Sequence, residues 1–264
     1  PPGTQLRPVD RDEIREPDRY RSLDEETRRH YVARYDGEIA YADHYVGQLF
    51  RTLEEIGVWD RTLVVFLSDH GETLFERERP ADHGGRVYEE QVRIPLVIRL
   101  PRGERGGRRI TLPVHHVDLL PTLLELLDLP TSEGFQGRSL VGSIGGEPDP
   151  PGGRPLYSQA ESKPNRVPHI SARLVRDELV WAIRLGRFKL IEYPTQDGVY
   201  LELFDLEEDP GETRNLASID PERAARLGER LERWRAEVRC GGTGPLPELD
   251  PETKSGLRAL GYID

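Results

Sequence analysis

Ser68-Asp69-His70-Gly71-Glu72 sets a carboxylate, an imidazole and a second carboxylate side by side, directly after the apolar run Leu63-Val64-Val65-Phe66-Leu67. In open α/β sheets ligands gather beyond the carboxyl ends of strands, so this is a place where chemistry is done. A hard oxygen donor next to an imidazole nitrogen suits a divalent cation. Asp69 and His70 are therefore the candidate metal ligands, and Gly71 lets the chain leave the strand so that neighbouring side chains need not point to opposite faces. The competing reading is structural: Asp69 caps a turn and His70 packs against it. Downstream, Asp82-His83-Gly84-Gly85 puts another histidine on a long loop ahead of the next apolar run, Leu96-Val97-Ile98. Long loops at the active end of a strand supply substrate contacts. Taken alone, a histidine in the place of His83 is more often an exposed polar residue than a catalytic one.

Other conspicuous residues have structural readings. His115 and His116 precede a leucine-rich helix and read as loop or capping residues. Arg102 to Arg109 reads as a solvated turn between elements, with binding of a polyanionic substrate as the lesser alternative. Pro168 disfavours helix at Val167, so Ser162-Lys163-Pro164-Asn165-Arg166 is a loop. Its Lys163 and Arg166 are candidates for lining a substrate pocket, beside the plainer reading as solvated cations.

The elements that must position these groups follow from periodicity. Ser22 and Glu25 have capping-box spacing, and Val32, Tyr35, Ile39, Ala42, Val46, Leu49 and Leu53 form the stripe of a long amphipathic helix that ends at Gly57. The two short apolar runs have the pattern of parallel strands buried on both faces. Asp118 is placed to cap a helix over Leu119 to Leu127, with Pro121 tolerated in its first turn; its many leucines predict burial. Helix, strand, strand and helix in this order indicate an α/β layer architecture. From Gly134 to Pro155 the composition shifts to Gly, Pro and Ser, which sets an expected boundary between residues 1–147 and 148–264. Beyond it, Ile183, Leu185, Phe188 and Leu190 flank Gly186-Arg187 as in a β-hairpin, Leu201 to Leu206 is another strand, and Asp220-Pro221 opens a last helix. This second unit is a small α+β subdomain, an antiparallel sheet plus helix.

Composition limits the partners. Among 264 residues, charged types make up 32% and the net charge is -11, which excludes a general nucleic-acid or anionic-membrane binder. No apolar run approaches a membrane span, and residues 1 to 20 lack a signal-peptide pattern. The lone Cys240 excludes an internal disulfide and leaves the redox compartment open. With no Met and an opening Pro1-Pro2-Gly3, the chain is expected to be preceded by further sequence.

Tyr35, Ile39, Asp43 and Gly47, then Thr62 to Glu72, His83-Gly84, Tyr88-Glu89-Glu90 and Arg93-Ile94-Pro95, together resemble the latter half of the catalytic domain of sulfatases, in the alkaline phosphatase superfamily. Asp118 to Leu124, Gly137-Arg138-Ser139-Leu140, Gly186 to Ile191, Glu202 to Leu206, Asp209-Pro210-Gly211-Glu212, Asn215-Leu216 and Leu257 to Tyr262 continue the resemblance in collinear order. It implies the C-terminal half of an alkaline-phosphatase-like α/β sandwich, followed by the small subdomain. It also implies one divalent metal ion on Asp69 and His70, calcium before manganese, magnesium or zinc. His83 would lie near the bound sulfate and serve as the catalytic acid, and the substrate would be a sulfated small molecule or carbohydrate. The family's nucleophile, a Cys or Ser in Cys/Ser-x-Pro-x-Arg converted to formylglycine, is expected upstream, so this chain needs an N-terminal half for a complete site. Ser162 to Arg166 fits that pattern formally but stands in the wrong order. A phosphate or phosphonate monoester hydrolase, or a non-catalytic remnant, are the alternatives.

Overall fold

A computed structural model describes residues 23–77, 83–131, 134–148, 153–162, 167–170, 172–176 and 178–238. The long helix α1 (Glu25–Glu55) starts at Asp24, whose carboxylate accepts from Thr27 N at 2.7 Å. Glu25 and Glu26 complement the positive end of its dipole. Asp24 therefore takes the capping role read onto Ser22, which lies outside the described residues. Ile56 and Gly57, with φ at 72°, close the helix. No α1 residue is buried, and Ile39 on the apolar stripe is 53% exposed.

Strand β1 (Val64–Leu67) pairs with β2 (Leu96–Arg99), with α2 (Glu89–Val92) between them in sequence. The pair is antiparallel, with Phe66 opposite Val97 and Val65 opposite Ile98, which corrects the parallel reading. Phe66 and Val97 share a face and are 46% and 58% exposed, so that face is not covered by the described residues. An uninterrupted apolar run records side-chain chemistry but not the direction of the neighbouring strand.

Helix α3 (Leu119–Leu126) buries Pro121 and Thr122 while Leu120 stays exposed, so its leucines do not make it a buried helix. Asp118, fully buried, does not cap it through its side chain. Its carboxylate instead accepts from His115 N at 2.8 Å and Arg138 N at 3.0 Å, and pairs with Arg154. The Gly137 backbone passes so close that a Cβ there would lie 1.8 Å from Val117 O. Leu140 N donates to Thr122 Oγ1 at 2.9 Å, just before α4 (Val141–Gly145). The Gly-Arg-Ser-Leu stretch is thus fitted to the start of α3 by backbone approach rather than by side-chain volume.

The second sheet runs β3 (Leu156–Glu161), β4 (Leu179–Leu185), β5 (Phe188–Thr195) and β6 (Gly198–Asp205), antiparallel throughout and in chain order. Leu185 faces Phe188 across the Gly186-Arg187 turn, as the hairpin pattern predicts. Alternation sends Lys189, Ile191, Tyr193, Glu202 and Phe204 to one face and Ile183, Leu190 and Leu203 to the other. The first face packs with Val87, Tyr88, Val167, Ile170 and Leu174 into the main core. Asn215 secures the edge of β6, accepting from Leu203 N at 3.1 Å and donating to Leu201 O at 3.0 Å. Helix α5 (Pro221–Glu237) follows Asp220, whose carboxylate accepts from Arg223 N at 3.0 Å.

The chain divides into two compact units, Pro1–Gly228 and Glu229–Asp264. The first holds both sheets. No described helix is long and apolar enough to cross a membrane. Among the described residues the architecture combines helices with two antiparallel sheets.

Candidate functional site

At the end of β1 the chain turns on itself. Ser68 Oγ donates to His70 O at 2.6 Å, and Asp69 Oδ1 accepts from His70 N at 2.9 Å. Partial burial works against the Asp69 charge, but this hydrogen bond and the adjacent His70 hold its carboxyl below the usual range. Asp69 Oδ2 lies 3.8 Å from His70 Nε2. Donors at that separation can both touch one ion at about 2.0–2.6 Å. Among the described residues no group of three or more His, Cys, Asp or Glu side chains could hold a metal ion. Asp69 and His70 fit such an ion as a pair of donors that others must complete.

His83 is brought back to this strand end. Its ring lies against that of His70, with centroids 4.4 Å apart and planes at 32°. Its Nδ1 sits 3.0 Å from Glu72 Oε2. Glu72 Oε1 is buried without a hydrogen-bond partner among the described residues, an acceptor available to a group from outside. His116, which reads as a loop or capping residue, also arrives here, with Nε2 3.1 Å from Ser68 O. His115 behaves as the capping reading has it: its ring accepts from Val117 N while its own N–H goes to Asp118. Lys163 and Arg166 lie outside the described residues. Glu72 and His116 were the participants that spacing missed. Glu72 stands beside His70 in sequence, but nothing local says it faces a residue 11 positions on.

The delivery of His83 rests on Gln91, which is buried. Gln91 Oε1 accepts from Gly84 N at 3.2 Å, its Nε2 donates to Thr73 Oγ1 at 2.8 Å, and its carbonyl accepts from Gly71 N at 2.8 Å. One side chain and one carbonyl thereby tie the histidine loop to the segment after β1. Gly84 and Gly85 take φ near 77° and 76°, the left-handed region glycine enters without steric cost. Gly71 is needed for a different reason than chain reversal: a Cβ there would lie 2.2 Å from Glu90 O. Gly71→Ala is expected to push residues 90 and 91 away and cost about 1–3 kcal/mol. Denaturant unfolding of the variant would check this, and an unchanged midpoint would contradict it.

The sequence matches the family model described as Sulfatase over residues 10–129, and that described as N-sulphoglucosamine sulphohydrolase, C-terminal, over residues 85–237. Arylsulfatase K of Danio rerio is 30% identical over 198 residues, covering 75% of this chain and 36% of that relative. The multifunctional alkaline phosphatase superfamily protein PehA of Trinickia caryophylli is 32% identical over 222 residues, covering 81% of this chain and 42% of the relative. The chain thus spans well under half the length of these relatives. A structure solved in complex with its substrate D-glucosamine-2-N,6-O-disulfate superposes with a TM-score of 0.63 at 27% identity, covering 77% of this chain and 40% of that one. The phosphonate monoester hydrolase of Agrobacterium radiobacter gives 0.62 at 28% identity, with the same coverage of 77% and 40%.

Proposed function

The chain belongs to the sulfatase family of the alkaline phosphatase superfamily, and from that premise we propose that the whole protein hydrolyses sulfate monoesters with the help of a divalent metal ion. The observation that carries this reading is the meeting of His83 with His70 and Glu72 beside Asp69. Asp69 and His70 are the proposed ligands contributed by this chain, with calcium the ion that the family resemblance puts first. A bound divalent cation neutralises charge on ester oxygens.

The chain's own groups have separate tasks. With its Nδ1–H donated to Glu72, His83 has Nε2 left to meet the substrate. With the ring doubly protonated, Nε2–H would pass its proton to the leaving oxygen as the nucleophile's bond to sulfur forms and the ester sulfur–oxygen bond breaks, so that the alcohol departs neutral and the ring is left neutral with its proton on Nδ1. Glu72 fixes the ring orientation. The nucleophile, formylglycine in this family, and the remaining ligands belong to other parts of the whole protein. The substrate class is a sulfated small molecule or carbohydrate. Lys163 and Arg166 remain proposed contacts to it.

The likeness to phosphonate monoester hydrolase favours one second reading, a phosphate or phosphonate monoesterase built on the same site. Parallel turnover of an aryl sulfate, an aryl phosphate and an aryl phosphonate by the whole protein decides between them. The sulfate is expected to be the best substrate, with activity abolished by a chelator and restored by calcium. Preference for the phosphonate would transfer the assignment to the second reading, and metal-independent hydrolysis would overturn both. Asp69→Ala is expected to lower bound metal and turnover together, measured by elemental analysis beside the assay; retention of full metal content would remove Asp69 from the ligand set.

A further inference from the structure

The turn Asp209-Pro210-Gly211-Glu212 follows β6, far in sequence from the strand-end residues, yet several of its contacts reach the segments on either side of the histidine loop. Asp209 shapes the turn by accepting from Thr213 N and Arg214 N, each at 2.8 Å. Glu212 adopts φ of 50° and is buried to 2% exposure. Its Oε2 accepts from Glu89 N at 2.5 Å, and its Oε1 lies 2.9 Å from Lys189 Nζ. Burial pushes its carboxyl above the usual range, with Lys189 opposing. The Gly211 and Glu212 carbonyls accept from Arg77 Nη2 and Nη1 at 2.9 and 2.8 Å. Arg77 meanwhile donates from Nε to Glu90 Oε1 at 3.0 Å, and its guanidinium lies 3.8 Å from the centre of the Tyr88 ring.

Arg77 precedes His83 and Tyr88 to Glu90 follow it. We propose that the Asp209–Glu212 turn is a positioning device, in which Glu212 and Arg77 clasp both flanks of the His83 segment and so present that histidine to His70. The proposal rests on the reading of His83 given above. Its physical basis is loop entropy. Glycine loses more backbone freedom on ordering than any other residue, so at Gly84 and Gly85 a hold on the flanks adds to what the Gln91 bond to Gly84 N supplies. Closing a loop at fixed anchors costs little extra with length, so one rigid anchor placed on both flanks is an economical way to confine it. A cluster serving only the sheet would have no reason to bond Glu89 N and the Arg77 fork.

Hydrogen–deuterium exchange of the chain, with its Glu212→Gln and Arg77→Lys variants, tests this. Glutamine keeps the shape of Glu212 but loses the charge, while lysine keeps the charge of Arg77 but loses the planar fork that reaches Glu90, Gly211 and Glu212 together. In both variants the amides of residues 83–92 are expected to exchange at least about tenfold faster, while those of residues 179–205 keep the parent rate. Unchanged exchange over 83–92, or equal acceleration in both regions, would overturn the positioning role. Should Glu212→Gln fail to fold, Arg77→Lys decides on the same criterion. In the whole protein both variants are expected to lower kcat more than they alter KM for an aryl sulfate. An active parent with unchanged loop exchange sinks the positioning role. A parent inactive on sulfate esters leaves the exchange result standing and sinks the functional reading instead.

Discussion

His83→Ala in the whole protein is expected to lower turnover of a sulfate ester about a hundredfold to ten-thousandfold, the usual worth of a positioned general acid. The metal content should stay unchanged, because His83 touches His70 through ring stacking and Glu72 through Nδ1 and is not one of the proposed ligands. The loss should appear in kcat and kcat/KM alike, as for an interaction made only in the transition state. It should also shrink with substrates whose leaving groups are already acidic, since these need no proton. Near-normal turnover in a well-folded variant would reduce His83 to a residue that shapes its loop.

Lys189→Ala is expected to destabilise the chain by about 3–5 kcal/mol, the cost of leaving buried charge without its partner. Lys189 is 2% exposed on β5 and pairs with both Glu89 Oε1 at 3.0 Å and Glu212 Oε1 at 2.9 Å. Arg184 Nη1 holds the other Glu89 oxygen at 3.2 Å, and Arg77 the Glu90 carboxylate, so three cations meet three carboxylates around this strand. Removing the most buried cation leaves Glu89 and Glu212 facing one another in a poorly solvated place. Exposed pairs are a natural control: Arg173→Ala, which breaks the surface pair with Asp197, should change stability by no more than about 1 kcal/mol. Urea unfolding of the two variants side by side gives the comparison, and equal midpoints would show that the buried cluster is not held by Lys189.

Much of the local structure was legible before any coordinates. The three-and-four stripe of α1, the Gly186-Arg187 hairpin and the Asp220 cap of α5 are all present where spacing puts them. Each depends on backbone preference or on a donor and acceptor only a few residues apart. Asp24 caps α1 because its carboxylate reaches Thr27 N, three positions on, at 2.7 Å; Ser22, read as the cap, lies outside the described residues. The Gly71 requirement was legible as a residue type but not as a reason, since its neighbour, Glu90 O, comes from a segment with no sequence signal pointing to it.

By itself, the sequence marked α1, β1, β2, α3, the β4–β5 hairpin, β6 and α5, though not α2, α4 or β3, set Asp69 and His70 together at a strand end, and carried the resemblance to sulfatases. Only the tertiary structure decided that β1 and β2 run antiparallel with Phe66 and Val97 uncovered among the described residues, that Glu72 meets His83, and that His116 reaches Ser68. It also decided that Lys189 closes on Glu89 across 100 positions. Local patterns record the conformational preferences of residues within a turn or a strand's length. Partners so far apart are set by register and packing, which depend on the whole chain folding at once and leave no mark in any short spacing.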